Sequence, residues 1–125
     1  MGAGVMAMGN AVRDKSFAFA VRVVNLYRYL GSEKKEFVLA KQLLRSGTAI
    51  GALVREAEHA ESKRDFVHKM SIALKESSET EYWILLLQVT GFLSPNESES
   101  ILGDNRELLK LLTSIINSAK QNMTE

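Results

Sequence analysis

The stretch Gln42–Trp83, QLLRSGTAIGALVREAEHAESKRDFVHKMSIALKESSETEYW, reads as two long helices joined by a short polar turn. Before the turn, Leu44, Gly47, Gly51, Val54 and Ala57 recur at steps of three and four. After it, Phe66, Met70, Ala73, Ser77, Thr80, Ile84 and Leu87 do the same. That spacing puts one face of each helix toward a core. Leu43, Ile50 and Leu53 broaden the first face, and Val67, Leu74, Leu85 and Val89 form a second row on the other helix. Ser62 opens the second helix with Asp65 in capping-box spacing, Asp standing in for the usual Glu. Gly47 and Gly51 share a face, and a glycine inside a helix costs about 1 kcal/mol against alanine. Accepting that cost twice predicts a close neighbouring backbone.

Working outward from this pair, a helix is expected from Asp14 or Ser16 to Leu30. Its stripe is Phe17, Ala20, Val21, Val24 and Tyr27, with Val23, Leu26 and Leu30 beside it. Gly31 is expected to end it. Ser32 is then expected to cap a second helix from Glu33 to His59 or Ala60, with Glu33 and Glu36 in its first turn. The third helix should end near Gly91. Ser94-Pro95-Asn96-Glu97 is the clearest helix start in the chain: an N-cap serine, proline at the first helical position and glutamate at the third. This fourth helix should continue through Ile101, Leu108, Leu112, Ile115 and Ile116 to about Lys120, with Gly103 weakening or kinking its first half. Short connections between long helices make successive helices antiparallel neighbours. The expected fold is therefore all-α, an up-down-up-down four-helix bundle over 14–121, with 1–13 a disordered leader and 122–125 a disordered tail.

The 125 residues suit one domain, and 46% apolar with 25% charged residues suits a globular chain. The absence of cysteine excludes disulfides, thiolate metal sites and cysteine nucleophiles, and fits a reducing cytoplasm. Met1–Gly9 lacks the basic start of a signal peptide. No apolar run, Trp83–Leu87 included, is long enough to span a bilayer. Residues 1–75 carry 13 Lys/Arg against 7 Asp/Glu, whereas residues 76–125 carry 3 against 8. This asymmetry could pair helices, link subunits or leave a basic face outward.

Catalytic chemistry finds little purchase. His59 and His68 flank the central turn near Glu58, Glu61 and Asp65, but match no metal-ligand spacing. Glu56 and His59 form a single Glu-x-x-His, where a di-iron bundle needs two. Glu56 and Glu79 are better read as partners of basic residues across helices, such as Arg45 or Arg22. No phosphate loop, nucleophile elbow or metalloprotease motif occurs. The reading is therefore non-enzymatic, with no cofactor and no metal. Two binding readings stay open. Arg45, Arg55, Lys63, Arg64 and Lys69 could contact the phosphates of structured RNA or of DNA, although Glu56, Glu58, Glu61 and Asp65 interleave with them. Alternatively, helices apolar on more than one side need further neighbours, and Tyr27, Tyr82 and Trp83 could anchor self-association.

The stretch Gln42–Trp83 also resembles the four-helix-bundle family named for open reading frames in intervening sequences of bacterial 23S rRNA genes. The similarity extends to Lys15-Ser16-Phe17, the first helix and the Gly91–Ser94 turn. The resemblance implies a left-handed bundle and a homo-oligomer, expected to be a pentamer. The similar accessory proteins of diversity-generating retroelements form five-subunit rings and bind nucleic acid and a reverse transcriptase through strongly basic surfaces. This chain carries a formal net charge of only +1. The family name reflects gene location, and the family has no assigned catalytic residues. Positions that follow its pattern include Arg45, Ile50, Glu56, Asp65, Phe66, Ala73 and Glu79. Ala49 departs from a usual serine and Leu53 from a usual asparagine.

Overall fold

The computed structural model describes residues 3–124, with side chains from 9 to 123. Four helices make up the fold: α1 (Ala3–Ser32), α2 (Val38–Glu58), α3 (Lys63–Val89) and α4 (Pro95–Thr124). Each helix packs on the one before it, and α1 closes the square against α4. The result is the expected up-down bundle. None of the described helices is long and apolar enough to cross a membrane.

The helix starts at 62 and 94 follow local chemistry. The Ser62 hydroxyl accepts from the Asp65 N–H at 3.0 Å, and the Asp65 carboxylate accepts from the Glu61 N–H at 3.3 Å. At α4 the box is reciprocal: Ser94 N–H donates to Glu97 at 2.8 Å, and Glu97 N–H donates to the Ser94 hydroxyl at 3.1 Å. The end of α3 is a Schellman motif around Gly91, whose φ is +87°. Gly91 N–H donates to the Gln88 carbonyl and Phe92 N–H to the Leu87 carbonyl.

The α1–α2 turn departs from expectation. Helix α1 runs through Gly31 to Ser32, and α2 begins only at Val38. The reversal falls at Lys35, at φ +55°. Ser32 caps nothing. Glu36 takes that role instead, its carboxylate accepting from the N–H groups of Leu39 (3.2 Å) and Ala40 (2.8 Å). A carboxylate ahead of the helix thus meets the exposed amides that a serine was expected to meet.

The expected leader and tail are also corrected. Helix α1 starts at Ala3, and Val12, assigned to the leader, is 1% exposed in the core. Helix α4 continues through the expected tail to Thr124. Met1, Gly2 and Glu125 lie outside the described residues. The α1 stripe is rotated as well. Val12, Ser16, Phe19, Val23 and Leu30 face inward, whereas Phe17 is 61% and Val21 47% exposed. Both faces of α1 carry apolar residues at helical spacing, so periodicity alone could not choose between them.

Both glycines of α2 face α1, but only Gly51 meets a backbone as expected, and Gly47 meets a side chain. A Cβ on Gly47 would stand 2.7 Å from a Val23 methyl, and one on Gly51 would stand 3.3 Å from the Ser16 carbonyl oxygen. A larger residue would force Val23 to shift at position 47 and would be tight against the α1 backbone at position 51. Gly103 leaves α4 unbroken. On the inner faces of α2, α3 and α4, a polar layer interrupts the aliphatic core. Thr80 donates to Ser46 (3.0 Å) or to the Glu76 carbonyl (2.7 Å). Ser77 donates to the Asn105 side-chain oxygen (2.7 Å), and the Asn105 amide returns a bond to the Ser77 carbonyl (2.9 Å). All four side chains are fully buried, and no buried side-chain polar atom among the described residues lacks a partner. Such a layer is tolerated only because it is satisfied.

Candidate interaction surfaces

The register between α2 and α3 is fixed by Ser46 with Thr80, Arg45 with Glu76 and Glu79, and Lys69 with Glu56. It sets Val38 level with the last turns of α3. There Leu85 is 37% and Val89 81% exposed, with Tyr82 one turn further back at 58%. Phe37 (56%) and Val38 (73%) are exposed at the start of α2. Large apolar side chains of α3, with Val38 of α2, therefore face outward at this end, and the Phe37 ring lies beside Gly31 of α1.

Beside Tyr82 lies a charged and aromatic cluster. The Arg45 guanidinium bonds Glu79 and, at 3.3 Å, Glu76. The Trp83 indole donates to Glu79 at 3.1 Å, and the Tyr82 and Trp83 rings meet edge to face at 5.0 Å. The bond from Arg45 holds the Glu79 carboxyl below the usual carboxylate range, and the same bond raises the guanidinium. Of the three expected interface anchors, Tyr82 is free to contact a partner. Tyr27 and Trp83 are half-buried against the core. Leu85 and Val89 were expected on a second apolar row of α3 but were not singled out as contact residues, and Phe37 and Val38 were not named as surface residues. Only the finished packing shows which apolar rows four helices leave uncovered.

The five basic residues do not converge on one face free of acids. Arg45 is held by two carboxylates and Lys69 by Glu56 at 3.4 Å. Arg55 lies over the exposed Phe17 ring at 5.9 Å, beside a groove between α1 and α2 that also holds Arg13, Ala20 and Ala52. Lys63 and Arg64 are exposed at the start of α3. His59 shares a shallow hollow with Arg55, Glu56, Glu61, Asp65 and Lys69, so both charge signs mix there. No group of three or more potential metal ligands occurs among the described residues. Glu79 pairs with Arg45 as its sequence setting suggested. Glu56 pairs instead with Lys69, and Arg22 with Asp104 at 2.5 Å. Leu53, at the family's usual asparagine position, packs against the core, and Ala49 is half-buried nearby on α2.

The comparisons agree with this architecture. A crystal structure of a protein of unknown function from the S23 ribosomal protein family of Bacteroides thetaiotaomicron is 56% identical. It superposes with a TM-score of 0.87, covering 88% of this chain and 98% of that one. No curated protein matched the sequence. The pattern of the 23S rRNA-intervening sequence protein family spans residues 9–114, which takes in the capped helices, the paired glycines and the Arg45–Glu79 bridge. The chain belongs to the 23S rRNA-intervening sequence protein family.

Proposed function

We propose that this chain is a non-enzymatic, homo-oligomeric bundle that acts by assembly and contact, as a cytoplasmic binding or scaffold module. The observation that carries this reading is the outward apolar row of Tyr82, Leu85 and Val89 along α3, with Val38 exposed at the same level on α2. Single exposed apolar residues are ordinary, but a contiguous group marks a contact surface. Burying it against a second copy would remove that surface from water at roughly 25 cal/mol per Å². The family resemblance makes a ring of five the expected assembly. Light scattering coupled to size-exclusion chromatography tests it. A discrete oligomer at micromolar concentration is expected, and Val89→Glu combined with Tyr82→Glu should shift it toward monomer. A wild-type monomer would overturn the reading.

A second reading, contact with structured RNA or with DNA as an accessory to a partner such as a reverse transcriptase, draws support from Arg55, Lys63 and Arg64. None of them is in an ion pair among the described residues, unlike Arg45 and Lys69. A gel-shift titration at two salt concentrations tests it, since each phosphate contact steepens the salt dependence. No shift at low salt, or a shift indifferent to salt, would exclude phosphate contacts.

A further inference from the structure

The end of the bundle that holds the α2–α3 turn contains a half-enclosed cleft of about 310 Å³. Its floor is Ala57 and Ile115, both buried, and Phe66, Ala60 and Ala119 form the walls. The cleft exists because three of these five positions carry alanine. At the opposite end, Leu30, Leu87 and Leu93 fill the equivalent space and are at most 1% exposed. Ser62, Ser118 and Asn122 supply the polar part of the lining. Lys63 is the only ionisable side chain on it among the described residues. The carboxylates nearest in sequence are Glu61 and Asp65; neither lines the cleft, neither pairs with Lys63 among the described residues, and Asp65 is held at the Glu61 N–H. The lining is therefore apolar within, with one uncompensated cation beside it. Small-molecule sites share this form, an apolar hollow with a few polar groups that orient the ligand.

We infer that this cleft is a binding site for a small amphipathic anion, an aliphatic or aryl carboxylate whose apolar body lies on Ala57, Phe66 and Ile115 and whose carboxylate meets Lys63. Charge selects the ligand class. A cationic head would be repelled, and a neutral one could accept a hydrogen bond from the ammonium but would gain no charge attraction. The inference is independent of the assembly proposed above, because the outward row of Tyr82, Leu85 and Val89 lies toward the other end of α3.

Titration of the full-length protein with sodium octanoate, followed in amide nitrogen–proton correlation spectra, tests the site. Octan-1-ol and octylamine serve as neutral and cationic controls. Octanoate should give saturable shifts centred on residues 57–66 and 115–119 and bind about fivefold more tightly than octanol, the upper range of one exposed charge pair. Lys63→Gln should remove that preference while leaving octanol binding unchanged. Ala119→Phe should fill the cleft and abolish binding of both, with circular dichroism checking that the fold is kept. If Ala119→Phe does not fold, Ala60→Leu serves the same purpose. Three outcomes would overturn the site: shifts that do not saturate, shifts centred on Phe17 or Tyr82, or octanoate binding that survives in a folded, filled variant. Equal octanoate and octanol affinities in the wild type would overturn the role of Lys63. Light scattering on the same samples separates this result from the assembly, since octanoate binding at unchanged mass supports the cleft whatever that mass is.

Discussion

The two ends of the bundle are built differently. At the end that holds the α1–α2 and α3–α4 turns, leucines fill the interior, a reciprocal capping box starts α4 and a Schellman motif ends α3. Tyr29 of α1 donates to Glu97 of α4 at 2.5 Å, tying the first helix to the last. At the other end a single turn joins α2 to α3, the capping carboxylate reaches one residue past its usual target, and alanines leave a cleft. One end is closed inside yet carries apolar residues outside; the other is more polar outside and open within. A filled interior and free internal space therefore sit at opposite ends of the same four helices.

This contrast can be broken most directly through the core. Leu87→Ala at the filled end should cost about 2–5 kcal/mol, because the removed atoms leave a cavity that tightly packed neighbours cannot close. Phe66→Ala at the open end should cost roughly half as much or less, since that ring is only half-buried and already borders empty space. Paired urea denaturation curves would measure both, and equal losses would erase the distinction between the ends. The caps give a smaller test. Ser94→Ala removes one side of a reciprocal box and should cost about 1 kcal/mol, with Ser62→Ala costing less, toward about 0.5 kcal/mol. Thermal melts would rank them.

Acid gives the smallest effect. The Ser94 N–H, then the Tyr29 hydroxyl, lower the pKa of the Glu97 carboxyl, and Arg45 lowers that of Glu79, from ordinary values near 4.5. Both groups bind protons more readily in the unfolded chain. Their contribution is therefore complete above about pH 4.5 and is lost as pH falls through the depressed folded values. Glu97→Gln should flatten part of the loss in melting temperature below pH 4.5 while lowering stability near pH 7. Tyr29 shows the opposite sign. Its bond to Glu97 raises its pKa from the ordinary value near 10, so the stabilisation tied to the phenol proton is present below about pH 10 and is lost as alkali removes that proton.

Much of the fold was legible locally. Ser94-Pro95-Asn96-Glu97 carries every group its cap needs within four residues, and Gly91 supplies the one left-handed position the end of α3 requires. The inward row of α3, Ser77 and Thr80 included, was readable because its period is unbroken. The α1–α2 turn misled for a matching reason. Gly31 and Ser32 suit a stop and a cap, yet α1 continues two residues further to Ser32, and Glu36 caps α2 from a later position. Of the site, the Arg45–Glu79 bridge was legible as opposite charges on adjoining helices, whereas the cleft was not. An alanine at 57, 60 or 119 reads the same whether a neighbour fills the space beside it or leaves it empty.

The sequence by itself determined that there are four helices, that they run antiparallel, where three of their ends are capped, and that some neighbour must pass close to Gly47 and Gly51. These are consequences of backbone hydrogen bonding and side-chain period, which act over a few residues. Only the tertiary structure decided which of two apolar faces α1 turns inward, which basic side chains are neutralised, which large apolar residues remain outside and where the core stays unfilled. Each of those depends on residues far apart in the chain arriving at one place, and distance in space, unlike period, is not written along the chain.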